Sequence, residues 1–196
     1  MSFETVVLGV SDSAVKKAEN LLRLYHAGDL SRDLFVELMS MLVDQSRGRG
    51  AAAAVQVLQE YLEIALEDVR VMSPQIPATD FDRLTTAANT IFESELDTGM
   101  QFERLVRGEV TAAAQRAYEN TLQRLPEVSG WTRGLDSKAC ELCRWWWREG
   151  RVWSKNHPMP RHTGCVCHQV PIVTRTENYQ TEQQAARTAA KKGEQE

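Results

Sequence analysis

Four cysteines and a histidine near the end of the chain have the spacing of metal ligands. Two residues separate Cys140 from Cys143, two separate His162 from Cys165, and Cys167 follows closely. A two-residue spacing lets both side chains of a pair point into one tetrahedron, which is how short chains build closed zinc sites. A catalytic zinc usually has three protein ligands and an open position for water. Because five candidates compete for four positions, we expect a closed, structural zinc site.

The sequence leaves open which four residues bind the metal. Spacing favours two matched pairs, formed by Cys140, Cys143, His162 and Cys165. The preference of a soft metal ion for thiolates instead favours the four cysteines. His157 and His168 are weaker candidates, and we expect His157, which precedes a proline, to lie in a surface loop.

Two disulfides are the alternative use of these cysteines. The chain begins without the basic segment and long apolar core of a secretory signal, so we expect a reducing compartment. Clustered cysteines in such a compartment indicate metal binding before disulfides. A module of about forty residues also needs a staple, because its core is too small to offset its conformational entropy. We therefore predict that chelation unfolds this part of the chain first.

Charge and tryptophan content change near residue 130. Residues 1–130 carry 12 Lys and Arg against 20 Asp and Glu, a net charge of −8. Residues 131–168 carry 7 against 3, a net charge of +4, and contain all five tryptophans. We therefore predict a helical domain at 1–130, a zinc-binding module at 131–173 and a polar tail at 174–196, which we expect to be flexible unless a partner orders it.

Hydrophobic periodicity predicts helices throughout the first domain, because apolar residues recur three and four positions apart. Gly28 and residues 48–50 have the composition of helix ends. Thr98 with Gln101 fits a capping box, which predicts that another helix starts there. The predicted helices cover residues 11–27, 31–47, 51–71, 80–96 and 99–125.

The expected fold is mainly α, with a multi-helix N-terminal region and a small β-containing module of zinc-ribbon type at the C-terminal end. Val152–Trp153 and residues 166–173 have the composition of short strands, and Gly150 and Gly164 suit the turns between the ligands. No apolar run approaches the roughly 20 residues that a bilayer requires, so we expect no membrane association.

Two longer motifs surround the metal-type residues. The first is Ala139-Cys-x-x-Cys143 followed by Glu149-Gly-Arg-Val-Trp153, and the second is Pro160-Arg-His162-x-x-Cys165-x-Cys167 followed by Val170-Pro171. Together they resemble the phage Mu F-like domain of minor head proteins. In that family a Cys-x-x-Cys pair precedes a Gly-x-aromatic turn, and a His-x-x-Cys-x-Cys element leads into a short strand with a proline. The resemblance covers residues 131–173, and Val166 stands where the family commonly has a basic residue.

The resemblance implies a structural minor capsid protein of a tailed phage. Such a protein associates with the portal and the inner head during head assembly and DNA packaging or delivery. The implied partners are the portal protein, the major capsid or scaffold protein and packaged DNA, with multiple copies in each head. The implied location is the virion, at the capsid interior or portal vertex, after assembly in the host cytoplasm. We expect no enzymatic activity.

A head-maturation protease is the enzymatic alternative. The serines at 129, 137 and 154 lie in no Gly-x-Ser-x-Gly context, and no His-Glu-x-x-His motif is present. A cysteine nucleophile would have to come from the metal cluster. These observations disfavour the protease.

A zinc-ribbon protein that binds nucleic acid is the second alternative. Cations attract phosphates and aromatic faces stack on bases, and the module is rich in both. Zinc held by four thiolates would lower the local net charge of +4 to about +2. That charge is small for a dedicated DNA-binding protein.

Overall fold

The protein is described by a computed structural model that covers residues 1–66, 73, 78 and 81–174. Four long helices come first: α1 at Phe3–His26, α2 at Arg32–Ala65, α3 at Phe81–Glu93 and α4 at Thr98–Arg124. They are followed by β1 at Val128–Gly134, α5 at Glu141–Trp147, a single 3-10 turn at Arg148–Gly150, β2 at Trp153–Ser154 and β3 at His168–Val173. This order confirms a mainly helical fold with a small β-containing C-terminal part. Among the described helices, none combines the length and apolar character needed to span a membrane.

Helix α2 is one continuous helix where two were predicted, so the predicted break at residues 48–50 is wrong. A Cβ at Gly50 would lie 2.9 Å from Cγ1 of Val110 and 3.2 Å from its carbonyl oxygen, so α2 and α4 touch at this point. Gly50 therefore serves close packing between two helices and not a left-handed turn. The last predicted residues of this segment, 67–71, lie outside the described part of the chain.

Helix α1 begins at Phe3, eight residues before the predicted start. The side chain of Ser2 caps it by accepting a hydrogen bond from the Thr5 amide at 3.2 Å. The first turns carry the buried side chains of Phe3 and Val7. These two residues are buried against later parts of the chain, and this burial accounts for the early start of the helix. Hydrophobic periodicity within the segment does not reveal such long-range contacts.

Helix α4 begins at Thr98, one residue before the predicted start, and has a different cap. Asp97, and not Thr98, is the capping residue, and its Oδ1 accepts a hydrogen bond from the Met100 amide at 2.6 Å. Gln101 reaches back to the carbonyl oxygen of Leu96 at 3.2 Å. The predicted cap and the predicted helix start are therefore each one residue too late.

The sheet is antiparallel, with β1 at its centre and β2 and β3 at its edges. Trp131 on β1 pairs with Trp153 on one side and with Pro171 on the other. The two edge strands lie close to the predicted positions. The central strand was not predicted, and it crosses the proposed boundary at residue 130. Helix α5 was not predicted either, because seven residues are too few to display a period.

The two larger of four hydrophobic clusters account for most of the interior among the described residues. One contains aromatic and aliphatic residues of α1, α2, α3 and α4, including Phe35 and Phe102. The other joins the helices to the sheet and includes Leu58, Leu122 and Trp131. The second cluster takes residues from both sides of position 130, and the division into two domains stays a prediction.

Two glycines in helix interiors should respond to alanine in opposite directions. For Gly50→Ala we expect a loss of about 1–2 kcal/mol, because the added methyl group meets the branched side chain and the backbone of Val110. For Gly108→Ala we expect a gain of up to about 1 kcal/mol, because its Cβ meets nothing within 4 Å and alanine favours the helix. Urea denaturation of both variants measures the free energy of unfolding. Equal stability of the two variants would contradict the close contact between α2 and α4.

Candidate metal centre

The structure brings all five predicted ligands together. The ligand atoms of Cys140, Cys143 and His162 lie within 4.8 Å of one another, and so do those of Cys143, Cys165 and Cys167. Cys143 belongs to both groups and is therefore central. All four cysteines are free. The Sγ atoms of Cys143 and Cys165 are 3.4 Å apart, well beyond the disulfide bond length of about 2 Å.

The separations within the first of these groups suit one tetrahedral ion. Nε2 of His162 is 3.3 Å from Sγ of Cys140 and 3.0 Å from Sγ of Cys143. With metal–sulfur bonds of about 2.3 Å and metal–nitrogen bonds of about 2.0 Å, the edges of a tetrahedron are roughly 3.5–3.8 Å. The two observed nitrogen–sulfur edges are shorter by about half an ångström or less, so a small outward shift of these three ligands accommodates an ion, while Cys165 belongs to the second group. The donor set of thiols and imidazole fits a soft or borderline divalent metal.

Two short elements hold the ligands in place. Cys140 caps α5 and Cys143 lies in its first turn, so one turn of helix presents both sulfur atoms on the same side. The opposite pair lies in a tight turn, in which the Cys165 amide donates to the carbonyl oxygen of His162 at 3.2 Å. Gly164 within that turn has a φ of 82°, a left-handed conformation that glycine adopts at little cost.

The ring of His162 is oriented by its own loop. Nδ1 lies 3.0 Å from the carbonyl oxygen of Thr163 and donates to it in the tautomer that protonates Nδ1. That tautomer leaves the lone pair of Nε2 directed at the sulfur atoms. A backbone partner of this kind is typical of histidines that bind metals.

Cys167 has additional partners of its own. Its Sγ accepts a hydrogen bond from the Asp136 amide at 3.4 Å and lies 3.5 Å from Oδ2 of the same residue. Asp136 also accepts from the Val166 amide at 2.9 Å, so its carboxylate holds this segment against the end of β1. Asp136 was not singled out from the sequence.

A buried arginine accompanies the sulfur atoms. Arg133 on β1 is only 3% exposed. One terminal nitrogen donates to the carbonyl oxygen of Pro160 at 2.9 Å, and the other lies 3.6 Å from Sγ of Cys143 and 3.8 Å from Sγ of Cys165. A guanidinium removed from water needs negative charge nearby, and metal-bound thiolates at these two cysteines would provide it. Sequence reasoning counted this arginine only as part of the net charge.

Helix α4 holds the loop that carries the last ligands. The buried side-chain amide of Gln115 donates to the carbonyl oxygens of Cys165 at 2.9 Å and Cys167 at 2.7 Å. Glu119, one turn further along, forms an ion pair with Arg161. The metal centre is therefore attached to the helical part by hydrogen bonds to the ligand backbone, a role that the helical pattern of α4 does not reveal.

The four thiols differ in acidity. Burial raises the pKa of Cys143, whereas a hydrogen bond involving Cys167 lowers the pKa of Cys165. The same interaction with Cys165, together with burial, raises the pKa of Cys167. Hydrogen bonds around the start of α5, first that of the Cys143 backbone, lower the pKa of Cys140. Opposed pKa shifts of this kind are expected where several thiols lie close together, because the loss of a proton from one thiol makes it harder for its neighbour to lose one.

The two weaker histidine candidates pack against aromatic rings. The ring of His157 stacks on Trp153, with centroids 4.3 Å apart. His168 stacks on Phe3 at 4.7 Å and touches the edge of Tyr118, and burial lowers its pKa to about 4. The ring of His157 therefore packs against the sheet, and the ring of His168 packs between the sheet and the helices.

Gln115→Leu should weaken the attachment of the metal centre. Leucine fills a similar volume but leaves two buried carbonyl oxygens without their donor, which costs about 1–3 kcal/mol. We expect a lower thermal midpoint and weaker metal binding, both measured on the purified chain. The neighbouring exposed Arg116→Ala is the control and should leave both unchanged. Unchanged metal affinity in Gln115→Leu would show that α4 does not support the ligand loop.

Comparison with known proteins gives a family and no individual relative. The model of the VG15 protein family matches residues 3–191, nearly the whole chain. No curated protein and no solved structure matches. The family consists of viral and phage gene products, so the match supports the expectation of a phage protein. It does not specifically support membership of the Mu F-like minor head proteins. The chain belongs to the VG15 protein family.

Proposed function

We propose that this protein is a non-enzymatic minor structural protein of a tailed-phage head, positioned at the capsid interior or the portal vertex. The observation that carries the proposal is the burial of three of the five metal-type residues: Cys143, Cys165 and Cys167 are each at most 3% exposed, while Cys140 lies at the exposed edge of the cluster. A largely buried cluster that joins a small module to a helical body suits a structural role. The VG15 family match supports the phage context, and the resemblance to Mu F-like proteins supplies the place in the head.

The metal is zinc in this proposal, bound by Cys140, Cys143, His162 and Cys165. Three of these atoms, on Cys140, Cys143 and His162, form one close group, and Cys165 is 3.4 Å from the central Cys143. Cys167 has hydrogen-bonding partners in Asp136 and completes the surroundings of the site. Bound zinc supplies folding free energy to the module.

The charge of the ligand set supports three thiolates with one histidine. Zinc with three thiolates and a neutral imidazole has a net charge of −1, which the buried guanidinium of Arg133 balances. Four thiolates would leave a net charge of −1 after that balance, beside sulfur atoms of which three are buried. The histidine-containing set therefore carries the smaller desolvation cost.

The helical part is the surface proposed to face other proteins of the head. Its net charge of −8 over residues 1–130 repels packaged DNA, which is itself strongly negative. The module stabilises the adjoining helices through hydrogen bonds. In one of them, the hydroxyl of Tyr61 on α2 donates to the carbonyl oxygen of Pro171 at 3.3 Å. The helices would then contact the portal, and the major capsid or scaffold protein lies nearby.

Replacing ligands should separate zinc-binding cysteines from the remaining one. We expect about one zinc ion for each wild-type chain, loss of the ion in Cys140→Ser, and retention in the matched variant Cys167→Ser, as measured by elemental analysis. Substitution with cobalt should give the absorption spectrum of a site with three sulfur ligands and one nitrogen. Loss of zinc in Cys167→Ser together with its retention in His162→Ala would instead assign the site to four cysteines.

The head role can be tested with the portal ring of the same phage. We expect the wild-type chain and the zinc-retaining Cys167→Ser variant to sediment with portal rings, and the Cys143→Ser variant to lose this association because its module is unfolded. The same samples are mixed with duplex DNA over a range of salt concentrations. Salt-dependent binding to DNA without binding to the portal would contradict the proposal and favour the nucleic-acid alternative.

A further inference from the structure

Helix α5 presents apolar side chains to solvent beside the metal centre. Leu142 is 44% exposed, Trp145 is 59% exposed and Trp147 is 38% exposed. The guanidinium of Arg148 lies over the ring of Trp145, with its carbon 4.4 Å from the ring centroid. We call Leu142, Trp145, Trp147 and Arg148 the aromatic knob. Large exposed tryptophans beside arginine have the composition of interaction hot spots.

A groove of about 470 Å³ lies between α2 and α3. Its lining includes the exposed apolar side chains of Met41, 43% exposed, and Phe81, 46% exposed. Asp33 and Glu37 also line it, and no Lys or Arg does so among the described residues. We call this feature the acidic groove. Its volume admits an indole ring, and its charge suits a cationic partner.

The floor of the acidic groove contains a buried hydroxyl group. Ser40 lines the groove, is 3% exposed, and its Oγ has no hydrogen-bond partner within the described chain. A buried hydroxyl without a partner is costly, so such groups normally find one. An indole N–H is a donor with no acceptor capacity, which makes a tryptophan a suitable partner for this oxygen.

The two surfaces do not cover one another within one chain. The knob and the groove are both exposed in the same structure. They also lie in regions of opposite charge, with −8 over residues 1–130 and +4 over residues 131–168. A second copy of the chain therefore offers to each surface a partner of matching shape, polarity and charge.

We propose that the aromatic knob of one copy docks in the acidic groove of another copy. Trp145 would enter the groove with its N–H directed at Ser40, and Arg148 would face Glu37. Because the knob and the groove are different surfaces, the contact is heterologous and leaves one of each free in every pair. Successive copies then form a ring or an open chain. The contact depends on neither the identity of the metal nor a role in a phage head.

Sedimentation velocity of the full chain tests the contact. We expect association of the wild type that grows with protein concentration and weakens at high salt, since exposed charges are screened. Trp145→Ala removes the knob and Glu37→Arg reverses a charge in the groove, with Asp33→Lys as a second groove variant. Each should weaken association by about tenfold or more. Leu96→Ala, which removes an exposed side chain outside both surfaces, is the control and should have no effect.

Mixing the variants distinguishes this contact from others. Trp145→Ala keeps an intact groove and Glu37→Arg keeps an intact knob, so their mixture should form a one-to-one dimer that grows no further. Combining Arg148→Glu with Glu37→Arg in one chain should restore part of the association. A monomeric wild type at low salt and high concentration would overturn the proposal. Undiminished association of the single variants would also overturn it. The same holds if Trp145→Ala weakens binding to single-stranded DNA and leaves self-association unchanged.

Discussion

The burial of charge around Arg133 is the constraint on which the C-terminal half of the structure depends. This guanidinium lies within 4 Å of two cysteine sulfur atoms and is almost removed from water. It belongs to the central strand, whereas the sulfur atoms come from α5 and from the loop before β3. Because an isolated buried charge is costly, strand, helix and loop must be in place together. The sheet is small, but its position is fixed by electrostatics as well as by packing.

The same requirement links the metal centre to the helical body. Gln115 and Glu119 of α4 hold the loop on which His162 and Cys165 lie. A metal bound there would stabilise this face of α4 as well as its own ligands, since buried hydrogen bonds join α4 to the ligand loop. The candidate metal centre and the helices are therefore parts of one cooperative structure.

Local patterns in the sequence predicted the parts of the structure that depend on near neighbours. The spacing of the cysteines predicted their convergence, and the capping pattern of Thr98 with Gln101 predicted the start of α4 to within one residue. Long-range contacts decided the rest. In the sequence Gly50 has the character of a helix end. Its role in close helix packing is visible only from its contact with Val110, which is sixty positions away. Arg133, Asp136 and Gln115 support the metal centre through partners that no spacing rule connects to them.

The stacking of Phe3 on His168 has a consequence for the order of events during synthesis. These rings are joined across almost the whole described chain, and Glu4 accepts a hydrogen bond from the Ser137 amide at 3.0 Å in the same region. Contacts of such long sequence separation form late, because the loop between them must be closed first. The first turns of α1 are therefore fully covered only after β3 has left the ribosome. Convergence of the candidate metal ligands and completion of the contacts of the N-terminal helix are then expected in the same final step of folding.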